Sequence, residues 1–473
     1  MPNPEKSTVE VVSKRRPRTS PLPGKTEKEH SAPLTIEEII DLVKLKVVSP
    51  TENDNLLSNI VGLKDNKDYF SQIISLIKEN ADFRFYPNML FLGPSGTGKT
   101  TSAFAIAKEL DVPIIVIDTQ KLVSVIPDHK VMNRVFEGIN SLLEKTGDCV
   151  VLFKEIQYVN TFEHNMNVTL CTKICELLSN FKNNLFIASS SQERNEFHAF
   201  FIGQDGFDTP VTFECPNHQE RIELIKRAIA DYPYEDDIDY DKLSRDFIDY
   251  SGGDIRKTLK SAYIQCLING ENKLNYRRIN SAISIEQYGK EIKKMTDKEI
   301  RLTAYHEAGH VILGYYGCPE YKVSKVEVKH RQGTLGLTIG ESDEEKDTYT
   351  KEDMIGRIIL AFGGKVAEQL MIGTTSTGVT GDLATATVIA EAIIKKFGMD
   401  DDFGPVFLDD EVFYSDVLAD EADIKIQNLL KSTYAKAVQI MLEHKDKLIA
   451  VAEALIKNEV LYKEEVLEIL EAP

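Results

Sequence analysis

The chain has 473 residues, 42% hydrophobic and 28% charged, with 56 basic against 75 acidic side chains and a net charge of −19. That length exceeds one ordinary core, so two or three domains are expected, and the acidic balance speaks against nucleic acid as the overall partner. Six cysteines in so long a chain do not make a disulfide framework; with no secretory leader in view, a reducing, cytoplasmic setting is expected.

Residues 1–33 are rich in Pro, Lys, Glu and Ser and poor in large apolar groups, so a disordered tail is expected, with one dense basic cluster at 14–18. Residues 34–46 carry an amphipathic helical period with Thr35 as cap, and the polar stretch 49–55 completes a helix-and-linker segment, 34–55. From 56 to 215, the apolar runs 88–93, 114–118, 149–153 and 185–189 read as buried parallel strands, with helices such as 100–110 and 130–144 covering the sheet. Residues 216–292 read as a small helical subdomain, and the Lys- and Glu-rich stretch 291–298 marks a boundary. Residues 296–473 read as mainly helical, with one hairpin-like β element over 321–340. The expected fold class is an α/β module with a parallel sheet and a helical subdomain, followed by a mainly α-helical domain. No apolar run of the roughly 20 residues that span a bilayer is evident. Cys171 and Cys175, one helical turn apart, read as packing residues.

Two motifs carry chemistry. The first, Gly93-Pro94-Ser95-Gly96-Thr97-Gly98-Lys99-Thr100, is a complete Walker A loop between a predicted strand and a predicted helix. Its glycines let backbone N–H groups close around phosphates at a helix N-terminus. Lys99 then reaches the terminal phosphates and Thr100 is placed for Mg²⁺, so ATP or ADP is the expected ligand. The second, His306-Glu307-Ala308-Gly309-His310, puts two imidazoles on one helical face, four residues apart, with a carboxylate beside them that can take a proton from water. Its apolar flanks predict a buried helix, where unpartnered polar groups are costly and a metal ion, zinc by donor chemistry, would pair them. A third ligand is needed. Asp382 is one candidate, although an acid in the first turn of a predicted helix also serves the helix dipole; His330, in a predicted hairpin turn, is the other.

The segments TAYHEAGH (303–310), FGGKVAEQL (362–370) and TSTGVTGDLATATVIA (375–390), then FGM (397–399), resemble in order and spacing the FtsH-type membrane AAA proteases. With the Walker A loop, the resemblance covers roughly residues 56–460. It implies an AAA+ module followed by a zinc peptidase, with His306, His310 and Asp382 as zinc ligands, Glu307 as catalytic base and Glu368 as an acid near the metal. It also implies that Ile60 and Val61 border the adenine, that Glu155 positions a water at ATP, and that the strand at 333–340 lies beside an extended, unfolded protein substrate. A homo-oligomer, hexameric in the family, is implied as well.

The chain also departs from the family. Lys154 stands where the family has the Walker B aspartate, and Ser191 where it usually has Asn. Aligned on Phe207 and Asp208, Gly203 and Gly206 stand where it has two arginine fingers, and 122–130 lacks its aromatic-apolar-glycine pore element. No counterpart of the family's N-terminal membrane helices is expected in this sequence, which puts a membrane location in question. Arg256 resembles a sensor arginine of other AAA+ proteins, or is a surface residue of its helix. The expectation is a zinc endopeptidase whose module binds ATP, with Mg²⁺ in question, and hydrolyses it poorly. The alternative is a nucleotide-binding chaperone or adaptor with a non-catalytic peptidase-like domain.

Overall fold

The computed structural model describes residues 36–43, 45–80, 87–161, 164–331, 334–340, 348–409 and 414–472. The expected tail, its basic cluster and Thr35 lie outside them. The first half holds α1 (Ile36–Val43), β1 (Lys46–Val48), α2 (Lys64–Asn80), β2 (Met89–Leu92), α3 (Lys99–Leu110), β3 (Ile114–Asp118), α4 (Thr119–Ser124), α5 (His129–Thr146), β4 (Val150–Lys154), α6 (His164–Asn180), β5 (Leu185–Ser190) and β6 (Thr209–Thr212). The sheet order is β1-β3-β4-β5-β2-β6. Strands β2 to β6 are parallel.

The strands read as continuous apolar runs because helices bury both faces of the sheet. Their period of two still sorts the side chains. Ile115, Ile117, Val151 and Phe153 enter one core, and Ile114, Val116, Val150 and Leu152 the other. Cys171 and Cys175 are both buried in the first. Residues 46–48, expected within the helix-and-linker segment with Lys46 as the helix end, instead form β1, antiparallel to β3 with Lys46 opposite Val116. Three residues are too few to show a period; burial of Val48 against the sheet decides the matter.

Next come α7 (His218–Ile229), α8 (Tyr240–Asp246), α9 (Gly252–Ile268) and α10 (Tyr276–Tyr288), around their own core. Each starts where Asn217, Asp239, Ser251 or Asn275 accepts a hydrogen bond from a first-turn backbone N–H. The last part holds α11 (Asp297–Gly317), β7 (Val323–Glu327), β8 (Leu337–Gly340), α12 (Lys351–Ala361), α13 (Gly363–Ala367), α14 (Thr380–Glu391), α15 (Asp416–Glu443), α16 (Lys445–Asn458), β9 (Val460–Tyr462) and α17 (Lys463–Glu471). The hairpin β7–β8 gains a third antiparallel strand, β9, from the far end of the chain, in the order β8-β7-β9. Helix α11 runs through the middle of this part and buries eleven residues, Thr303 to Gly314.

By length and composition alone, the helical stretch Thr377–Lys396 is long and apolar enough to cross a membrane, where no such run was expected. It packs beside α12 and α15 and carries Asp382 to the site described next.

Candidate active site

Helix α11 begins at a reciprocal cap: the Glu299 N–H donates to Thr296 Oγ1, and the Thr296 N–H to Glu299 Oε2. From that start, His306 and His310 fall one turn apart on the face toward α13 and α14. The chains come unusually close there. A Cβ on Gly364 would stand 2.2 Å from His306 Cε1, so only glycine leaves room for the ring.

The histidines and Asp382 converge. His306 Nε2 lies 3.2 Å from Asp382 Oδ2, His310 Nε2 lies 3.3 Å from it, and the two Nε2 atoms are 3.2 Å apart. Donors about 2.0–2.1 Å from a tetrahedral zinc are separated by roughly 3.3–3.4 Å, so this triangle has the size of one face of such a site. The protonation pattern agrees. His310 Nδ1 faces the Leu360 carbonyl oxygen at 2.9 Å, and His306 Nδ1 faces Glu368 Oε1 at 2.7 Å. Both partners are acceptors, which assigns the hydrogen to Nδ1 and turns the Nε2 lone pairs toward Asp382. Asp382 Oδ2 is buried and makes no well-formed hydrogen bond of its own. Three donor atoms aimed at one point can share one positive charge, a proton in the ion-free protein or a metal ion in its place.

The ionisation of the group says the same. Burial opposes charge on His306, but Asp382 and Glu368 overcome it and lift its pKa to about 10. Burial likewise opposes charge on Asp382, yet the two histidines hold it well below the ordinary carboxylate range. Glu368 is also held low despite burial, by His306 first and then by Ser376. A metal ion would displace the His306 proton and serve all three donors. His330, the other candidate ligand, is not brought here; among the described residues, the one cluster of metal-ligand type is His306, His310 and Asp382.

The donors open on a cleft of about 780 Å³ lined also by Glu307, Tyr321, Thr338, Arg357 and Ile389. Glu307 is 6% exposed; burial raises its pKa, against the pull of His310, His306 and Thr338. Strand β8 forms one wall. Among the described residues it is paired to β7 alone, which leaves the backbone groups of its other edge without a strand partner there.

In the α/β module, the loop 93–98 joins β2 to α3, and Gly93, Gly96 and Gly98 all take positive φ there. Lys99 Nζ donates to the carbonyls of Gly93 and Pro94 at 2.5 and 2.6 Å, and burial lowers its pKa against the pull of Glu155. Ile60, Val61, Gly96, Thr97, Gly98 and Arg256 line a pocket of about 270 Å³. Ser95 and Thr100 complete the loop and the first turn of α3.

Residues 293–469 match Peptidase family M41, and residues 89–206 match the ATPase family associated with various cellular activities, AAA. The ATP-dependent zinc metalloprotease FtsH of Caldicellulosiruptor bescii is 26% identical over 89% of this chain and 73% of its own. That of Bacillus subtilis is 25% identical over 90% and 72%. The chain belongs to the FtsH-type AAA+ zinc metalloproteases. A solved structure from work on katanin self-assembly covers 52% of this chain and 90% of its own at 20% identity, with a TM-score of 0.44, too loose a likeness to assign anything. Zn²⁺ and ATP or ADP are the cofactors of a protein that joins these two domains.

Beyond the nucleotide loop, the ATPase half of this protease is altered. Lys154 ends β4, in register with Asp118 of β3. Glu155 takes a positive φ of 53°. Gln157 donates to Glu155 Oε2 at 2.6 Å and to Ser191 Oγ at 2.9 Å, so a side-chain amide bridges the two altered strands. Arg256, left open between two readings, lines the nucleotide pocket.

Sequence reasoning missed residues in the peptidase half. Ser376 holds Glu368 through its backbone N–H and, at 2.9 Å, its hydroxyl. The chain forms a π-helical turn, Glu368–Ile372, immediately after α13, which sets the direction of that carboxylate. Ser376 carries one legible signal, its place as cap of the short turn that begins at Thr377.

Proposed function

We propose that this protein is a zinc-dependent endopeptidase of unfolded or extended polypeptides, joined to a module that binds ATP and hydrolyses it slowly. The observation that carries the proposal is the triangle of His306 Nε2, His310 Nε2 and Asp382 Oδ2, 3.2–3.3 Å on each edge. When bound there, zinc lowers the pKa of water and polarises the scissile carbonyl. Glu307 takes a proton from the attacking water as the water oxygen bonds to the carbonyl carbon. It then returns the proton to the leaving amine nitrogen as the C–N bond breaks. Glu368, fixed by Ser376, holds the His306 ring in place and keeps its proton on Nδ1.

The open edge of β8 supports the substrate class. Backbone N–H and C=O groups on an unpaired strand accept an extended chain, which a folded domain rarely offers. Slow ATP turnover follows from side-chain chemistry: an ammonium at Lys154 cannot bind Mg²⁺, and Gly203 and Gly206 have no charge to offer a transition state. An arginine finger contributes factors of about 10³–10⁵ to phosphoryl transfer. The two curated relatives above carry names that call them ATP-dependent; a homo-oligomer, hexameric by the family resemblance, is part of the same proposal.

The test is digestion of casein by the zinc-loaded full chain, with and without a chelator and with Glu307→Gln as control. Cleavage that chelator and Glu307→Gln both abolish is the expected result. Intact casein after long incubation with zinc would sink the peptidase and leave a nucleotide-binding chaperone or adaptor. For the module, phosphate release at ordinary ATPase rates that Lys99→Ala abolishes would overturn slow turnover.

A further inference from the structure

The Glu307 carboxylate is gripped by β8. Thr338 Oγ1 donates to Glu307 Oε2 at 2.5 Å, and among the described residues no other side chain donates to that carboxylate. The other oxygen abuts Gly336, where a Cβ would stand 2.5 Å from Glu307 Oε1 and 2.5 Å from Thr303 Cγ2. The chain therefore meets α11, just before β8, so closely that a Cβ at that point would clash. Thr338 pairs with Val326 of the buried β7, so its position is set by the sheet, and β8 lines the cleft with no strand on its opposite edge among the described residues.

A glutamate has three rotatable side-chain bonds, and an unheld carboxylate spends much of its time away from the geometry proton transfer needs. One hydroxyl bond from a sheet-fixed residue removes that freedom. We propose that Thr338 is a positioning residue for the reaction: its hydroxyl aims the Glu307 carboxylate at the cleft, on the strand that receives the substrate. This rests on Glu307 being the base. A threonine at this position has a competing use, since β-branched residues simply pack well in strands. The substitution Thr338→Val separates the two, because it keeps the branched shape and removes only the donor.

The experiment is steady-state cleavage of a quenched fluorescent peptide by the zinc-loaded full chain, with zinc content and melting temperature measured on each variant. Expected for Thr338→Val is a fall in kcat of about 10–100-fold, the range a small misplacement of a reacting group produces. KM should stay within about twofold, zinc content unchanged, and Thr338→Ser should return kcat to within about threefold of the parent. Full activity in Thr338→Val, a loss confined to KM, or Thr338→Ser as slow as Thr338→Val would each overturn the proposal. If Thr338→Val does not fold, Thr338→Ser against Thr338→Ala makes the same comparison, and equal rates refute it. Glu307→Gln is run alongside. Cleavage by Glu307→Gln removes the base assignment itself, whereas a dead Glu307→Gln beside a fully active Thr338→Val removes only the role of Thr338.

Discussion

The peptidase centre and the nucleotide cradle are each built on a helix, the first on a mid-helix face of α11 and the second at the N-terminus of α3. They differ in how complete one chain leaves them. In the first, every group needed for chemistry lies within one domain: three donors, a base, and the residues that orient them. In the second, the Walker A loop is whole, whereas Lys154, Gly203 and Gly206 stand, by the family resemblance, where other members carry side chains of hydrolysis, the basis of the slow turnover proposed above. Binding and turnover separate cleanly in such a site. Phosphate recognition uses backbone N–H groups, which side-chain substitution does not remove, whereas metal capture and charge stabilisation rest on single side chains. The chain therefore retains what is written in its backbone and lacks what is written in those few side chains.

The sharpest way to break this contrast is Glu307→Gln. An amide is nearly isosteric and is no base, so cleavage should fall by about 10²–10⁴-fold while zinc stays at one per chain, because Glu307 is not among the converging donors. Loss of zinc in this variant would mean that the ligand set is wrong. Next in size is Glu368→Gln. Removing the charge behind His306 should cost zinc affinity about 10–100-fold, measured by competition with a chelating dye, with the fold unchanged by circular dichroism. Parent-like affinity would show that Glu368 merely packs.

Acidity gives a smaller, graded effect. Without an ion, His306 keeps its proton up to about 10, so zinc binding at neutral pH must displace it. Below that pKa, each unit of falling pH should weaken apparent zinc affinity about tenfold, and the loss should reverse as pH rises. Affinity flat between roughly pH 6 and 8 would show that the proton sits elsewhere.

Both sites were legible in the sequence where spacing carries the chemistry. His306 and His310 are tied by one helical turn, and the Walker A glycines by one loop. Asp382 is 72 residues beyond His310; no period connects them, and the sequence alone left it balanced against a helix-dipole role until α14 brought its carboxylate to the imidazoles. The hairpin-like β element at 321–340 was legible in the sequence, but its third strand was not. Val460–Tyr462 is three residues long between two helices, and only packing against β7 makes it a strand. The same holds for β1. Thr338 was invisible for a different reason, and Ser376 was legible only as a cap: a hydroxyl that orients a carboxylate leaves no pattern of its own, because its partner is set by tertiary contact alone.

The smallest expected effect is the most informative about the cradle. Lys154→Asp restores the carboxylate that the family uses, and Mg²⁺ should then strengthen ATP binding. Turnover should nevertheless stay within about threefold of the parent, since Gly203 and Gly206 still supply no guanidinium and that contribution is worth about 10³–10⁵. A rise above tenfold would mean that an arginine already reaches the phosphates. Arg256, in the pocket wall, is the first to examine, and Arg194, whose guanidinium donates to the Ile202 carbonyl at 3.2 Å beside Gly203, is the second. Combining Lys154→Asp with Arg256→Ala or Arg194→Ala tells them apart. The arginine whose loss returns turnover to the parent level is the one standing in for the finger, and if neither does so the missing charge comes from a neighbouring copy of the chain.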